Sequence, residues 1–447
     1  MSLSGIPVFS GVNRPAATHM LRRTRRWSWM VSGWFEPVTL GADGGGTACM
    51  TVGCSDDFVA VRLGFPNVSR EPFRITRAIG RPSSTFNDYV APTGDANWTP
   101  FTMRNGGRDT DGIVAGFDSP VEIQVRGLDD TSLHRESGVR WTWTDWSPMR
   151  SLPADPATGM RVLMLRALVP AMQTVTFSNG QLRGFTGNRA INRGHDLMIG
   201  GLKFNIDAVS RTDGDPSVST QTWIDNQLGP GTLFPMVQFL TNRPGISGIV
   251  AGDSHAQGSA TTEQFSSFLY GATTSLGLEY LNQVPFSMAN CAVGGLPSAQ
   301  FFARWQTLIE AVRPSYAVLQ GWTYNDANGD IRADRAAMDI FLARLLGAAE
   351  TATANGILPL ILTPFPRDGH SMTPVQLGPW RQLRETLLAL RGAGAVVIDA
   401  TSILGNQENG IFDGTYRPGI SADQMHPNDE GHMAVASAIT QAIKRYI

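Results

Sequence analysis

The chain has 447 residues, which is longer than one ordinary hydrophobic core and favours two domains. Hydrophobic residues at 42% and charged residues at 17% are typical of a globular protein with large cores and a lightly charged surface. A formal net charge of -2 gives no reason to expect nucleic acid as a partner, and no stretch reaches the ~20 apolar residues that a membrane helix needs.

Cysteines and basic residues are too few to define a special class of protein. The 3 cysteines cannot form a disulfide framework; Cys49 and Cys54 either pair or remain two free thiols. No Cys/His spacing suggests a structural zinc site. Residues 22–26 are rich in arginine. We interpret them as a solvated edge or a salt-bridge cluster, in preference to a targeting signal or a site that binds a polyanion. The sequence indicates neither the compartment nor the oligomeric state. The protein either stays in the compartment where it is made or is exported by a route that the sequence does not reveal.

Residues 1–240 predict a β-rich accessory domain. Residues 121–126 alternate between apolar and polar, as a half-buried strand does. Residues 161–169 form a more continuous apolar run, which is typical of a central strand. Turns rich in Gly, Asn and Asp separate such stretches, and no long helical period occurs. The pattern predicts a sandwich or jelly roll with a boundary near residue 240.

Three tryptophans in this half have two interpretations. Trp141, Trp143 and Trp146 are predicted on one strand face, with a shift near Asp145. Flat indole rings on such a face suit stacking on sugars, but they also suit cross-strand and core packing. We favour core packing over a ligand platform.

From Gly248 onward the pattern changes to alternating strands and helices. Helices of this length between strands require right-handed crossovers, and therefore a parallel sheet with helices on both faces. The sequence predicts a three-layer α/β/α domain over residues 246–447. Strands are expected at residues 249–251, 286–293, 316–320, 357–363 and 395–399, and helices at 261–276, 297–312, 332–354, 374–392 and 428–446.

Polar residues suited to catalysis follow the ends of these strands. Because the carboxyl ends of parallel strands meet on one rim of the sheet, such residues are expected to lie together. Gly-Asp-Ser alone is a weak signal, since a strand that runs into an Asp-Ser turn is more often only a turn. Further motifs change this interpretation. In chain order they are Gly252-Asp253-Ser254, Asn290 with Gly294-Gly295, Gly321-Trp322-Thr323-Tyr324-Asn325-Asp326, and Asp423-x-x-His426-Pro427.

These residue types fit an acyl-transfer reaction. Serine is a weak nucleophile until a histidine removes its proton, and the histidine needs a carboxylate that orients it. The three-residue spacing lets Asp423 reach Nδ1 of His426 while Nε2 faces Ser254. The oxyanion of a tetrahedral intermediate needs hydrogen-bond donors. The candidates are the backbone amides of Ser254 and Gly295 and the side chain of Asn325.

Other histidines are alternative bases. His255 adjoins the serine, but a residue next to the nucleophile points away from it and suits a wall or a substrate contact. His370 lies in a loop, and His432 lies on the last predicted helix, where a satisfied or solvated role is expected. We therefore favour His426.

The four motifs together resemble those of the SGNH (GDSL-type) hydrolases, over residues 246–447. The resemblance implies a flavodoxin-like fold and a metal-independent serine hydrolase that needs no cofactor. It also implies that Ser254, Asp423 and His426 form a catalytic triad, with Ser254, Gly295 and Asn325 as the oxyanion hole. One position departs from the family pattern, because Thr323 stands where glycine is common. Gly321 lies two residues earlier.

The substrate must be inferred from the residues around the site. We expect His255, Leu296, Trp322, Tyr324 and Phe365 to line its mouth, although the aromatic ones equally suit packing of the rim. A β domain ahead of an SGNH domain resembles carbohydrate esterases, which implies deacetylation of a polysaccharide or a similar small-molecule ester. A general short-chain esterase or lipase, an acyltransferase, and a non-catalytic binding or structural protein are the alternatives.

Overall fold

The computed structural model describes most of residues 236–447 and shorter stretches before them. Residues 121–126 and His370 lie outside this part, so the predictions for them stay predictions. The described residues are 20–30, 34–39, 46–54, 56–67, 71–84, 98–105, 108–109, 113–114, 140–156, 159–170, 172–179, 189–191, 198–205, 231–232, 236–262, 267–280, 284–326, 335–367, 374–393 and 395–447.

Before Met236 the regular elements of the described residues are all strands. They are β1 (Thr24–Met30), β2 (Trp34–Thr39), β3 (Gly46–Cys54), β4 (Phe58–Asn67), β5 (Phe73–Arg74), β6 (Arg77–Ser83), β7 (Thr99–Phe101), β8 (Arg104–Asn105), β9 (Arg108–Asp109), β10 (Ile113–Val114), β11 (Arg140–Trp143), β12 (Ser147–Pro148), β13 (Arg161–Val169), β14 (Thr174–Asn179), β15 (Arg189–Ile191), β16 (Met198–Asn205) and β17 (Gly231–Thr232).

Besides two two-stranded pairs, β5 with β10 and β8 with β9, two larger sheets lie wholly within this part of the chain. One has the strand order β15-β16-β3-β13-β6-β7, and the other has the order β17-β14-β2. The central position of β13, which pairs with both β3 and β6, confirms the prediction from its continuous apolar run. Cys54, in β3, is buried and is not part of a disulfide, which excludes the alternative in which it pairs with Cys49. The sandwich or jelly-roll arrangement stays a prediction.

The remaining chain alternates strands and helices, close to the predicted bounds. Its strands are β18 (Met236–Ala251), β19 (Phe286–Asn290), β20 (Tyr316–Leu319), β21 (Leu358–Leu362), β22 (Val396–Ile398), β23 (Gly405–Glu408) and β24 (Ile411–Tyr416). Its helices are α1 (Ser254–Gln257), α2 (Phe268–Glu279), α3 (Ser298–Val312), α4 (Arg335–Ala354), α5 (Pro374–Ala389), followed by a 3-10 turn (Leu390–Ala393), α6 (Ala400–Leu404) and α7 (Asp429–Lys444).

The strand β18 crosses the predicted domain boundary. Its first half pairs antiparallel with β1 and β4, and its second half pairs parallel with β19 and β20. The prediction of a short strand that begins at Ile249 is therefore wrong. Residues 242–245, Asn-Arg-Pro-Gly, have the composition of a turn but lie inside the strand. The pairing with β1 shifts register between Leu240 and Gly245, and the pairing with β4 ends at Thr241. The division into two domains stays a prediction, and the two parts share one sheet.

The parallel strands have the order β19-β18-β20-β21-β22. In chain order this is 2-1-3-4-5, the doubly wound order of flavodoxin-like folds. The prediction of an α/β fold with parallel strands is confirmed. The sheet as a whole is mixed, because β1, β4, β11 and β12 extend it with antiparallel pairings.

Helices cover both faces of the parallel strands. Along β18, Ile246 and Val250 point into a core that includes residues of α2, α6 and α7. The alternate residues Ile249 and Ala251 point into a core that includes residues of α3, α4 and α5. This alternation of apolar side chains explains why the strand is hydrophobic on both faces. Among the described helices, none combines the length and the apolar character needed to span a bilayer.

The tryptophans of β11 pack inside the protein. Trp141 and Trp143 stack with ring centroids 5.8 Å apart, and both are only partly buried against the core of α3–α5. The guanidinium of Arg62 lies 4.5 Å from the ring of Trp143 and 4.8 Å from that of Trp146. Its Nε also donates to Gln238 of β18 at 2.6 Å. These contacts support the packing interpretation, although Trp146 lies beyond the strand, which ends at Trp143.

Candidate active site

The candidate nucleophile lies where the order of the strands reverses. β18 and β20 are neighbours but are first and third along the chain, and such a switch point leaves a crevice beyond the strand ends. Ser254 begins helix α1 three residues after β18 ends at Ala251, and Asp253 caps that helix by accepting from the His255 amide at 2.9 Å. Gly252 is required here, because a Cβ would lie 2.5 Å from Gln320 Oε1.

The structure brings Ser254, His426 and Asp423 together. Ser254 Oγ lies 2.8 Å from His426 Nε2, and His426 Nδ1 lies 2.6 Å from Asp423 Oδ2. An ionised carboxylate can only accept, so Nδ1 carries the proton and Nε2 is free to accept from the serine hydroxyl. This is the arrangement that a serine nucleophile and its general base require.

The loop that carries His426 is fixed by its own carboxylate. Asp423 Oδ1 accepts from the backbone amides of Met425 at 2.9 Å and His426 at 2.7 Å. Gln424 between them has a φ of 61°, in the left-handed region that such a tight turn needs. Asn428 then caps helix α7 with its side chain. The imidazole therefore has a defined position between two rigid elements.

Electrostatics set the protonation states that the chemistry needs. Burial raises the pKa of the Asp423 carboxyl, but the hydrogen bonds from His426 and from two backbone amides outweigh burial and lower the pKa to about 2. Burial, and after it the charge of His255, lowers the pKa of His426, and the neighbouring Asp423 only partly opposes this. At neutral pH Asp423 is ionised and His426 is a neutral base.

The pH dependence of activity follows from these shifts. His426 accepts a proton only when it is neutral, so kcat/KM should fall as pH decreases through the pKa of His426. Because that pKa lies below the ordinary value of 6.5, the acid limb should lie below pH 6.5. Initial rates on a neutral ester across the acidic range test this. An acid limb above pH 6.5 would contradict the prediction.

Gly295 follows Gly294, where a Cβ would lie 3.5 Å from Ser254 Cβ, and among the described residues the backbone amide of Gly295 is unoccupied. Its φ is 80°, which favours glycine, and in the described part of the chain its N–H donates to no protein atom. The amide of Gly294 is occupied instead, because it donates to Gln257 Oε1 at 2.7 Å. Of the two glycines, Gly295 is thus the one able to donate to an oxyanion.

Asn325 lies at the same rim, but its amide is already engaged. Its Nδ2 donates to Asp253 Oδ2 and to the Leu296 carbonyl, both at 3.2 Å. Both bonds are long, and catalytic hydrogen bonds are often poorly aligned before the substrate binds. To act as an oxyanion donor, Asn325 must exchange one of them for the substrate oxygen.

A substitution tests this role. If Asn325 donates to the oxyanion, Asn325→Ala should lower kcat by about 10²–10³-fold, as loss of an amide donor does elsewhere. Thermal unfolding of the variant serves as the control, because the same amide supports Asp253. An unchanged kcat would assign Asn325 a structural role only.

Most residues that we predicted to line the mouth are buried instead. The exposed fraction is 0% for Leu296, 2% for Trp322, 2% for Phe365 and 9% for Tyr324. Trp322 packs edge-on against Phe341 of α4, with ring centroids 5.1 Å apart, and Tyr324 Oη donates to the Phe365 carbonyl at 2.8 Å. These side chains fill the space beneath the rim, so the prediction of a substrate wall is not supported.

His255 also departs from its predicted role as a substrate contact. Its ring is buried, with Nδ1 3.0 Å from Asp253 Oδ1 and Nε2 2.9 Å from the Met425 carbonyl. It does point away from the nucleophile, but toward the protein interior. His432 is buried too, and its Nδ1 accepts from the Phe268 amide at 3.1 Å. Burial lowers the pKa of His432 to about 3, so His432 is a neutral histidine of the core, although its Nε2 is buried without a hydrogen-bond partner in the described part of the chain.

Two polar residues of the site were missed at the sequence level. Gln320 Nε2 donates to Asp253 Oδ1 at 2.8 Å, and Thr323 Oγ1 donates to Asp253 Oδ2 at 2.5 Å. The sequence held one indication of this role: Thr323 stands where the resembled family commonly has glycine, and a hydroxyl can form a hydrogen bond that glycine cannot. Both residues tie the loop after β20 to the turn that presents Ser254.

Asp326 fixes the other end of the same loop. Its carboxylate accepts from the Ser298 amide at 2.5 Å and from Ser298 Oγ at 2.6 Å, at the first residue of α3. Arg344 of α4 lies 3.7 Å away. Burial raises the pKa of Asp326 despite these donors. The candidate oxyanion residues are therefore held between α1, α3 and the end of β20.

Comparisons with known proteins give similarity at the level of solved structures. No family profile matches the chain, and no curated protein matches it. A lipolytic protein of the G-D-S-L family from Desulfitobacterium hafniense is 17% identical, with a TM-score of 0.34, and the match covers 44% of this chain and 98% of that one. The chain is similar to GDSL-type hydrolases.

Two further solved structures give the same result. A GDSL-like lipase from Bacteroides thetaiotaomicron is 17% identical, with a TM-score of 0.34, over 45% of this chain and 89% of the lipase. An acetylxylan esterase from Geobacillus stearothermophilus is 18% identical, with a TM-score of 0.36, over 44% of this chain and 94% of the esterase. Scores of this size carry no argument about function, which must come from the geometry of the site.

Proposed function

We propose that the protein is a serine hydrolase of carboxylic esters, with Ser254 as the nucleophile. The supporting observation is the continuous hydrogen-bonded chain from Ser254 Oγ through His426 to Asp423, with distances of 2.8 and 2.6 Å. The hydroxyl, imidazole and carboxylate each have the protonation state that nucleophilic attack needs.

In the first half of the reaction the serine is acylated. Ser254 Oγ attacks the ester carbonyl carbon while His426 Nε2 takes the hydroxyl proton. The amides of Ser254 and Gly295 donate to the resulting oxyanion, together with Asn325 once its amide is released. When the carbon–oxygen bond of the tetrahedral intermediate breaks, His426 gives its proton to the leaving alcohol. Asp423 stabilises the imidazolium and keeps its ring oriented.

In the second half water regenerates the serine. His426, neutral again, takes a proton from a water molecule that attacks the acyl carbon. The second tetrahedral intermediate collapses, the proton returns to Ser254 Oγ, and the carboxylic acid leaves. Serine, histidine and aspartate end in their starting states, so the cycle needs no additional reactant.

For the substrate we propose an O-acetylated carbohydrate or a similar small O-acyl ester. This part of the proposal rests on the resemblance of the motifs and of the β-rich part to carbohydrate esterases. A panel of acetylated glycans, compared with aryl esters of increasing acyl length, tests it. A preference for long acyl chains would contradict it.

The decisive test of the nucleophile is Ser254→Ala. Removal of the attacking oxygen should abolish turnover of p-nitrophenyl acetate, and a fluorophosphonate probe should no longer label the protein. The matched control is Ser402→Ala, which changes an exposed serine of α6 and should leave both readouts unchanged. Equal turnover by the wild type and Ser254→Ala would overturn the assignment.

A further inference from the structure

A second buried Asp–His pair lies behind the candidate triad. Asp253 Oδ1 and His255 Nδ1 are 3.0 Å apart, and their side chains are 1% and 6% exposed. The ring centroid of His255 lies 5.1 Å from that of His426. The acyl-transfer steps do not use this pair, although it flanks the nucleophile on both sides in sequence.

Both partners of the His255 ring are hydrogen-bond acceptors. Its Nε2 faces the Met425 carbonyl at 2.9 Å, and a carbonyl can only accept. Its Nδ1 faces a carboxylate oxygen, which also accepts when it is ionised. Both ring nitrogens therefore donate, which makes His255 an imidazolium next to an ionised Asp253.

The surroundings of Asp253 support its ionised state. Besides the His255 ring, its carboxylate accepts from the His255 amide, Gln320 Nε2, Thr323 Oγ1 and Asn325 Nδ2. So many donors leave no room for a proton on the carboxyl group. Burial alone raises the pKa of Asp253, but the charge of His255 and these hydrogen bonds bring the pKa below its ordinary value.

The position of Met425 links this pair to the candidate base. Met425 immediately precedes His426, and its peptide group is held from both ends. Its N–H donates to Asp423 Oδ1, while its carbonyl accepts from His255 and, at 3.1 Å, from Tyr416 Oη. The turn before His426, with its left-handed Gln424, therefore depends on His255 for its shape.

Charged and titratable groups face His255 from every element packed around it. The ring of Tyr324, after β20, lies 6.3 Å from that of His255, and Arg367, after β21, lies over Tyr324 at 4.9 Å. The other groups are Asp253 in its own turn, Asp423 and His426 in the loop before α7, and His432 on α7. Of these, only Asp253 forms an ion pair with His255.

We propose that His255 is a positioning residue for the candidate base: as an imidazolium between Asp253 and the Met425 carbonyl, it fixes the His426 loop and keeps His426 unprotonated at mildly acidic pH. The proposal rests on the proposed esterase function, because it assigns His255 to the same reaction. The positive charge repels a second proton from the neighbouring ring, and the hydrogen bond holds that ring toward Ser254.

Two variants separate the charge from the hydrogen bond. In His255→Gln the amide nitrogen takes the place of Nε2 and still reaches the Met425 carbonyl, but the charge is lost. In His255→Asn the amide stays near Asp253, and both the charge and the Met425 contact are lost. Both variants should move the acid limb of kcat/KM to higher pH. His255→Asn should in addition lower kcat by about 10²-fold, because a displaced base costs this much.

The ring protons can also be followed without any turnover. In spectra of ¹⁵N-labelled histidine, both ring nitrogens of His255 should carry a proton, because both face acceptors. His426 should titrate at higher pH in His255→Gln than in the wild type. His432→Asn is the matched control: it keeps an acceptor for the Phe268 amide and removes a neutral ring, so the His426 titration should not move.

The outcomes distinguish this proposal from the proposed function. A His255 ring with one proton, or a His426 titration that is the same in His255→Gln and the wild type, would overturn the role of His255 even if the enzyme is active. A wild type without esterase activity that still shows the His426 shift would overturn the proposed reaction and retain the electrostatic coupling. Unfolding midpoints of both variants identify any loss that comes from unfolding.

Discussion

His426→Ala should lower kcat by about 10⁶-fold, and Asp423→Asn by about 10⁴-fold, by analogy with serine proteases. The ranking follows from the geometry. His426 is the group that moves the proton of Ser254, whereas Asp423 orients and stabilises the imidazole through a 2.6 Å hydrogen bond. Single-turnover and steady-state rates on an aryl acetate measure both variants.

A control on helix α7, which follows the loop of Asp423 and His426, separates the effect on catalysis from the effect of surface charge. Glu430→Gln removes an exposed carboxylate from the first turn of α7 and should leave kcat unchanged. A larger loss in Asp423→Asn than in His426→Ala would count against this triad, because an orienting group cannot contribute more than the base that it orients.

Gly321→Ala should destabilise the protein by about 1–3 kcal/mol or more, the range for overfilled sites. A Cβ at Gly321 would overlap the backbone carbonyl of Leu362 in the neighbouring strand β21, and a backbone atom cannot rotate away as a flexible side chain does. The denaturation midpoint in guanidinium chloride measures the effect. Because Gly321 begins the loop that carries Asn325, kcat should fall as well.

The matched control is Gly378→Ala, in helix α5. A Cβ there meets no atom within 4 Å, and alanine is favoured over glycine in a helix by up to ~1 kcal/mol. Gly378→Ala should therefore keep or raise the midpoint. Equal midpoints for the two variants would contradict the close approach at Gly321.

The sequence was sufficient for the parallel strands, the helices and the residues that meet at the rim. Apolar runs such as Tyr316–Leu319 are short and buried, and the helices α3 and α7 have a clear amphipathic period. Once these strands are parallel, their ends must converge, which predicts that the loops of Ser254, Gly295 and Asn325 lie on one rim. The loop of Asp423 and His426 follows the antiparallel pair β23–β24, so only the motif predicted its place beside Ser254. The order and spacing of the motifs then predicted the chemical role of each of these residues.

Other features depend on contacts that no local pattern encodes. Residues 242–245 have turn composition, yet the strand β18 continues through them, with Gly245 paired to Thr24 of β1. Whether Trp322 faces solvent or Phe341 is decided by helix packing, which the spacing of aromatic residues does not specify. The engaged amide of Asn325 and the buried ring of His255 likewise depend on Asp253, a partner that the motifs suggest only as a turn residue.

The continuity of β18 has a consequence for how the protein folds. Gln238 Nε2 donates to Ser28 Oγ across 210 residues of sequence, and the same strand ends just before Ser254. Pairings between such distant segments form slowly, because the chain must close a long loop before they stabilise it. The pairing of β18 with the strands of the amino-terminal part is therefore expected to form late in folding.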